Sequence, residues 1–480
     1  MKKIIYTTIM ALATVLVGCE KFTDITPKGR NLLNTAADLD LLLNYDFQGF
    51  SNNQLARLVN AATLGNLQNL QNQQIPTINQ VLTFWREDVD RKSLTATDVL
   101  YTEIYNIIGR YCNPIIGRAG IVTGDKDLAQ QAKAEALILR AWMHYLAVNI
   151  FAKAYNPATA ATDGGVAYVF ETDMLRDDQP KYTVAKVYEF IVRDLDSAFA
   201  LKALKVRPPG QQVGRVSLSF AHAVRAQVML SLRRYNDAYA AARTSLAINN
   251  HLDNHNDMLR LTTPAISGDP KEYFMFWRPQ FRGNREDLWE TWSTMVLWAL
   301  TPEMITFMDP NSVFLNHVAS VINRGGIDNS MTTVFLPGFL QMTHNFDQTA
   351  FSGAGLTTAD MFRIVAECYM RSNRFADAQK ELEHIRKHRI IADKYEPLAP
   401  LTTRDGVFAL LKQSARSDNW SAYKDFIDLK RWNTYPEFAA NLYRTFGTQP
   451  TLTLRPDSPL WIFPFPQNAT NFNPNLTHNY

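Results

Sequence analysis

Two helical segments far apart in the chain share one spacing of small and large residues. In the first segment the shared positions are Ala226, Met229, Tyr235, Ala238 and Ala242. The matching residues stand 140 positions later and are Ala366, Tyr369, Phe375, Ala378 and Leu382. Small residues at such positions let two antiparallel helices cross closely, with an aromatic residue near the turn between them. The spacing therefore predicts a fold built from stacked helix pairs.

This spacing is typical of the tetratricopeptide repeat, and the alternative is two unrelated helical hairpins rich in alanine. A stack needs about three repeats to bury its faces, so we place helix pairs at about residues 97–153, 183–250 and 357–390. Residues 254–356 separate the repeats and are rich in Gly, Pro, Asn and aromatic residues. We predict a mainly α fold with a large, irregular, loop-rich insertion, and we expect function to lie in that insertion.

The earlier helices are predicted from apolar periodicity. Tyr101 to Ile116 and Asp127 to Phe151 form the first pair, and the second of these is apolar nearly all round, which indicates a buried helix. Val184 to Leu201 and Ser217 to Leu232 form a second pair, because Pro208-Pro209-Gly210 breaks the chain between them.

The N-terminus reads as an export signal. Lys2 and Lys3 precede an apolar run that ends in Leu16-Val17-Gly18-Cys19, which is similar to a bacterial lipobox. We expect residues 1–18 to be removed and Cys19 to be acylated, so that residues 19–480 form a single domain held at a membrane surface. The alternative is a plain secretory signal in which Cys19 falls at the cleavage site by chance.

Composition narrows the classes of function. Lys plus Arg number 49 against 46 Asp plus Glu, and no basic run is present, so we expect no nucleic-acid partner. No second apolar run is long enough to span a bilayer. Cys112 and Cys368 lie among apolar neighbours, which predicts buried free thiols and no metal or redox pair.

A search for catalytic residues finds no motif. His384 and His388 are spaced as in metalloprotease helices, but Ile385 occupies the place of the required Glu. We therefore interpret Arg386, Lys387 and Arg389 around them as a solvated basic face. His251, Asp253, His255 and Asp257 suit a solvated polar turn better than a cation site. We expect no enzyme activity, no cofactor and no metal, although two facing carboxylates of a glycosidase would leave no sequence motif.

Several motifs in order resemble the SusD/RagB family of outer-membrane lipoproteins. They run from the lipobox to the tail and comprise Cys19 to Gly29, Glu135-Ala136 with Leu139-Arg140-Ala141, Ala299 to Met304, Ala366-Glu367-Cys368-Tyr369, Asp425 to Trp432, and Leu460 to Asn479. The last two fall in a C-terminal region of about residues 416–480. The resemblance implies a SusD-like helical fold and a protein that captures a nutrient for a SusC-like TonB-dependent transporter at the cell surface.

The ligand implied by the resemblance is an oligosaccharide or a peptide. Sugars are bound by aromatic faces flanked by polar side chains, and loops from two regions hold the ligand in the family. The candidate ligand-binding residues in this chain are Phe84, Trp85, Arg86, Trp277, Arg278, Trp289 and Trp292. Burial in the core is the alternative for each tryptophan, and it is the interpretation we give Trp298.

Two other functional classes stay open. A surface glycoside hydrolase would share the lipobox and the aromatic residues, but it would turn its substrate over. A tetratricopeptide adaptor would share the repeats and would bind a protein partner in a groove, without needing the tryptophan-rich insertion.

Overall fold

The protein is described by a computed structural model. It describes residues 33–44, 53–60, 70–170, 178–261, 273–275, 284–291, 298–300, 306–313, 315, 327–328, 331–336, 339–344, 353–419, 422–446 and 450–480. Cys19 lies outside these residues. The predicted mainly α class is confirmed.

The helices fall into an N-terminal group, the two repeats and a C-terminal group. The N-terminal group is α1 (Ala36–Leu42), α2 (Asn53–Asn60), α3 (Ile78–Phe84), α4 (Val99–Asn106), a π-helical turn (Ile107–Cys112), α5 (Asn113–Arg118), α6 (Lys126–Phe151) and α7 (Val184–Ala200). The repeats are α8 (Leu218–Ser231) with α9 (Tyr235–Ile248) and α10 (Thr358–Arg371) with α11 (Phe375–Lys387). The C-terminal group is α12 (Arg404–Asn419), α13 (Tyr423–Trp432) and α14 (Gln467–Thr470).

Helix α6 is the predicted buried helix. The Asp125 side chain caps its first turn by accepting hydrogen bonds from the backbone N–H groups of Asp127 and Leu128, at 2.9 and 3.2 Å. From Ala134 to Phe151 every residue is buried. At its other end the Lys430 ammonium donates to the carbonyls of Asn149 and Ala152, at 2.7 and 2.6 Å, which satisfies acceptors that the helix leaves unpaired.

The helix pairing differs from the prediction in one place. Helix α7 packs mainly against α6, and α8 packs mainly against α9, so the predicted pairing of α7 with α8 is wrong. Helix α9 then packs on α10, which brings the two repeats side by side although the insertion separates them in sequence. Helix α7 packs on α6 because α6 is apolar on all sides and each side must be covered; α7 covers one of them.

The two repeats have the same turn. Arg233 and Asn373, 140 positions apart, both adopt a left-handed backbone with φ of 61° and 60°. The next residues, Arg234 and Arg374, each donate their backbone N–H to a carbonyl five positions earlier at 2.9 Å. The same turn at the same offset supports the alignment of the repeats.

We expect Ala378→Leu to lower the free energy of unfolding by about 1 to 3 kcal/mol, because overpacking a close helix contact strains its neighbours. Ala378 and its counterpart Ala238 are fully buried. Ala378→Ser is the control and should cost less. Thermal unfolding followed by circular dichroism measures both, and a wild-type melting temperature for Ala378→Leu would show that Ala378 is not at a helix crossing.

The insertion contains regular strands, in contrast to the predicted irregular loops. β3 (Leu259–Leu261) pairs antiparallel with β4 (Tyr273–Met275). A second, antiparallel sheet has the order β5 (Trp298–Leu300), β8 (Phe339–His344), β7 (Met331–Leu336) and β6 (Ile327–Asp328). The run Thr332-Thr333-Val334-Phe335 in β7 is β-branched and aromatic, a composition that favours strand.

Two smaller antiparallel pairs lie outside the insertion, and the C-terminal tail joins the core. The pairs are β1 (Gly164–Ala167) with β2 (Lys181–Thr183) and β9 (Leu442–Arg444) with β10 (Leu452–Leu454). In the tail, Phe463 and Phe465 are buried, and the Phe463 N–H donates to the Ile150 carbonyl at 3.1 Å. The tail thereby closes over the end of α6.

The predicted basic face around His384 is wrong for one of its arginines. Arg389 is buried and pairs with Glu286 at 2.7 Å and with Asp418 at 3.0 Å. Arg386 pairs with Asp309 at 3.0 Å. Arg386 also lies 3.5 Å from the nearby Glu383, but Glu286, Asp309 and Asp418 come from distant parts of the chain, so the local charge run gave no sign of them.

Cys112 and Cys368 are buried free thiols, and burial raises the pKa of Cys368 to about 12. Within the described ranges, no group of three His, Cys, Asp or Glu side chains is arranged to hold a metal ion. Among the described helices, none combines the length and the apolar character needed to cross a bilayer.

Candidate functional site

The first predicted aromatic cluster lies at the end of α3. Thr77 caps the start of this helix by accepting a hydrogen bond from the Gln80 N–H at 3.3 Å. The helix ends at Trp85, whose backbone is left-handed with φ of 49°. A bulky residue rarely adopts this conformation, so surrounding contacts must hold it there.

Trp85 is a core residue. Its exposed fraction is 7%, its indole N–H donates to the Leu58 carbonyl at 2.9 Å, and the Arg444 guanidinium stacks 4.2 Å from the ring centre. These contacts fix the left-handed turn. They also cover the ring, so Trp85 takes the core role that was the alternative for each tryptophan.

The neighbours of Trp85 are more open. Phe84 is half-buried and meets Phe446 edge to face at a centroid distance of 5.2 Å. The Arg86 side chain is 41% exposed and binds Asp88 with two hydrogen bonds of 2.7 and 2.6 Å, which raise the pKa of Arg86. A ligand at Arg86 would therefore have to compete with Asp88 for the guanidinium.

Trp289 lies in the core and not on a surface loop. Its exposed fraction is 0%, and its ring stacks on Phe220 of α8 at a centroid distance of 5.3 Å. An exposed platform role is contradicted by this burial. Trp277, Arg278 and Trp292 lie outside the described residues, so their role as ligand-binding residues stays a prediction.

A cleft of about 300 Å³ opens beside α3 and joins the N-terminal helices to the C-terminal tail. Its polar lining includes Gln54, Arg57, Asn79 and Asp98. Its apolar lining is Leu55, Val99, Leu100, Ile150, Phe151 and Phe463. Apolar walls with a few polar groups are typical of small-molecule and sugar sites. The cleft and the Phe84 turn share α3, and this region is the candidate functional site.

Asp98 has a structural task in this cleft. One of its carboxylate oxygens accepts a hydrogen bond of 2.7 Å from the Tyr101 N–H and so caps α4. Burial raises the pKa of Asp98. Asp98 is the single carboxylate among the described residues that line the cleft.

Arg57 is the most buried polar residue of the lining, with an exposed fraction of 3%. Its Nη1 donates a long hydrogen bond of 3.3 Å to the Thr83 hydroxyl, and its Nε has no acceptor among the described residues. Burial and the nearby charge of Arg444 lower the pKa of Arg57 to about 10. A lowered arginine pKa is expected for a cation in a poorly compensated environment.

Sequence reasoning missed the cleft, although one signal for Arg57 was present. Arg57 stands between Ala56 and Leu58 in a short apolar helix, and no acidic residue lies three or four positions away on either side. A helical arginine without such a neighbour has no local ion-pair partner. The other lining residues come together only through long-range packing.

A second cleft, of about 410 Å³, lies between the turns of the two repeats and is lined by tyrosines and arginines. The Arg374 guanidinium lies 4.2 Å from the Tyr369 ring centre. Arg371 covers Tyr435 at 4.0 Å and Tyr235 at 4.9 Å. Guanidinium groups already occupy these ring faces, which leaves less aromatic surface for a ligand than the volume suggests.

Part of the sequence matches a known protein family. Residues 37–230 match the model of a SusD-like family described as starch-binding and associating with the outer membrane. Among curated proteins, none matches the sequence.

Solved structures match nearly the whole chain. A SusD superfamily protein from Bacteroides thetaiotaomicron is 16% identical, with a TM-score of 0.66 over 93% of this chain and 100% of that one. One from Bacteroides vulgatus is also 16% identical, with a TM-score of 0.62 over 93% and 99%. The surface glycan-binding protein A of Bacteroides uniformis is 13% identical, with a TM-score of 0.63 over 93% and 99%. At these identities the likeness shows a shared fold.

Proposed function

We propose that this chain is a SusD-like cell-surface lipoprotein of the outer membrane that binds a glycan and delivers it to a SusC-like TonB-dependent transporter. The match of residues 37–230 to the model of a SusD-like family supports this proposal. The observation that carries this proposal is the cleft beside α3, in which an arginine and two amides meet apolar and aromatic walls. Sugars need such a combination of donors, acceptors and ring surface. A structurally similar protein is named as a surface glycan-binding protein, which agrees with it.

A binding role fits the cleft better than hydrolysis does. Glycoside hydrolysis uses two carboxyl groups that face each other across the bond. Asp98 is alone in the described lining, and it already caps α4. These facts favour a protein that holds its ligand and hands it on.

The proposed function is tested by incubating the mature protein with a panel of polysaccharides and peptides, and measuring both retention and products. Retention of a glycan without products is the expected result. Release of oligosaccharide products would identify a hydrolase, and retention of peptides alone would identify a peptide-capturing member of the family. A protein that retains neither class would contradict a capture role.

We expect the isolated chain to bind its ligand weakly, in the micromolar to millimolar range, because the transporter would complete the site. Calorimetry with and without a co-purified SusC-like transporter of the same organism measures the difference.

We predict that Cys19→Ala releases the protein from membranes and leaves its folding intact. Acyl chains contribute about 0.8 kcal/mol per buried CH₂, and two chains make a lasting anchor. The measurement is membrane fractionation of cells that lack the transporter, with Cys112→Ala as the control that should stay membrane-bound. Continued membrane association of Cys19→Ala would refute the lipid anchor.

A further inference from the structure

Arg57 differs in its surroundings from several other deeply buried arginines. Arg140 pairs with Asp194 at 2.7 Å, Arg389 pairs with Glu286 at 2.7 Å, and Arg431 pairs with Glu367 at 2.7 Å. Each of these guanidiniums is neutralised by a carboxylate. In the part of the chain that the structure describes, Arg57 has no carboxylate partner, and its one hydrogen bond goes to a neutral hydroxyl.

Arg444 shows how backbone carbonyls can satisfy a buried arginine. It donates to the carbonyls of Leu58 and Thr83 at 3.0 and 2.8 Å, and to that of Leu82 at 3.4 Å. Arg57 lies close enough to Arg444 for the two charges to repel each other, but among the described residues it has no such set of acceptors. Among the described residues, Arg57 is therefore the less satisfied of these two buried cations.

A buried charge without a partner is costly, and proteins retain one where it serves a purpose. Arg57 lines the cleft beside α3, so an anion that enters the cleft can supply the missing partner. The amides of Gln54 and Asn79 line the same cleft and can bond sugar hydroxyls. A guanidinium binds a carboxylate or a sulfate group by two parallel hydrogen bonds.

We propose that this cleft binds an acidic glycan, and that a carboxylate or sulfate group of the sugar pairs with Arg57. This inference rests on the proposed function and narrows its ligand class from glycans in general to charged ones. The cleft volume of about 300 Å³ limits the enclosed part of the ligand to a short segment that carries the acidic group.

The first test uses the ligand-free protein and needs no knowledge of the ligand. Arg57→Met removes the charge and keeps an unbranched apolar side chain, so the melting temperature should stay unchanged or rise. Arg444→Met is the matched control and should lower it, because three buried carbonyls lose their donor. If Arg57→Met destabilises the protein as much as Arg444→Met does, Arg57 is structural and the proposal is overturned.

The second test measures binding with defined probes at equal ionic strength. Galacturonate and glucuronate should bind to the wild type, and should bind roughly 10- to 100-fold more weakly to Arg57→Met, the ratio expected when a charge-assisted hydrogen bond is lost. Galactose and glucose lack the acidic group, so Arg57→Met should weaken their binding less than it weakens the binding of the uronates. Arg57→Lys should recover only part of the affinity for the uronates, since an ammonium lacks the planar fork.

The possible outcomes distinguish failure of the acidic-glycan inference from failure of the proposed function. Three results would overturn the acidic-glycan inference and leave glycan binding in place. They are equal affinity for neutral and acidic sugars, uronate binding that survives Arg57→Met, and binding of inorganic sulfate with no preference for uronate over galactose. Retention of an oligoglutamate peptide in place of acidic sugars would overturn it in favour of a peptide ligand. Failure to retain any polysaccharide of the panel would contradict the proposed function itself.

Discussion

Glu367→Gln should lower the free energy of unfolding by about 3 to 5 kcal/mol, the range found when one partner of a buried ion pair is removed. Glu367 lies in α10 with an exposed fraction of 2%. Its two oxygens accept hydrogen bonds from Arg431 at 2.8 and 2.7 Å, and one of them also accepts from Arg371 at 2.8 Å. Glutamine keeps the shape but removes the carboxylate that pairs with Arg371, and it leaves Arg431 with Asp428 as its counter-charge, at 3.1 Å.

The pair joins two regions that the sequence marked separately, the second repeat and the C-terminal helix α13. Losing it should weaken their contact, so denaturant unfolding followed by circular dichroism is the measurement. Asp237→Asn is the control, because Asp237 forms an ion pair of 2.6 Å with Arg234 that is about half exposed on both sides. Exposed pairs contribute less than about 1 kcal/mol. Equal effects of the two substitutions would contradict the assigned role of Glu367.

The same network gives the wild type a dependence on pH. Burial alone raises the pKa of Glu367, but the charges of Arg431 and Arg371 outweigh it and hold the pKa well below its ordinary value of 4.5. A carboxyl whose pKa is lower in the folded state contributes stability above the unfolded pKa and loses it as pH falls. Wild-type stability should therefore fall below about pH 4.5, and Glu367→Gln should lose part of that slope.

The sequence predicted those elements whose cause is local or repeated. Helix α6 was evident because a helix that is apolar all round must be buried, and the repeats were evident because close crossings demand alanine at fixed places. The turn at Arg233 and Asn373 follows the same offset. Each of these features rests on residues within a few turns of one another.

The features that could not be predicted depend on distant partners. Arg389 was expected in solvent, because nothing near it in sequence shows that Glu286 and Asp418 surround it. Trp85 was predicted to contact ligand. Its ring is covered by Arg444, which lies more than 350 positions later in the chain, so the sequence near Trp85 gave no sign of this contact. The pairing of α7 with α6 could not be predicted for a similar reason. Helix α6 is apolar on every face, so its sequence does not show which face α7 covers.

Trp289→Ala should lower the free energy of unfolding by about 3 to 5 kcal/mol and leave ligand affinity of the folded protein unchanged. The ring is fully buried against Phe220, and the flanking backbone is tied to the scaffold on both sides. The Leu288 N–H donates to the Leu356 carbonyl at 3.0 Å, and the Glu290 N–H donates to the Val213 carbonyl at 2.9 Å. Removing the indole leaves a cavity that these ties prevent from closing.

Phe84→Ala is the matched comparison, because Phe84 was predicted for the same aromatic platform but is only half-buried. It should cost less stability than Trp289→Ala, and it should weaken glycan binding if its ring stacks on a sugar. Thermal unfolding and calorimetry on the two variants sort the residues, since a core residue changes the first quantity and a ligand-binding residue the second. A Trp289→Ala protein that melts like the wild type but loses its ligand would return Trp289 to the binding site and move the site from the α3 cleft towards α8.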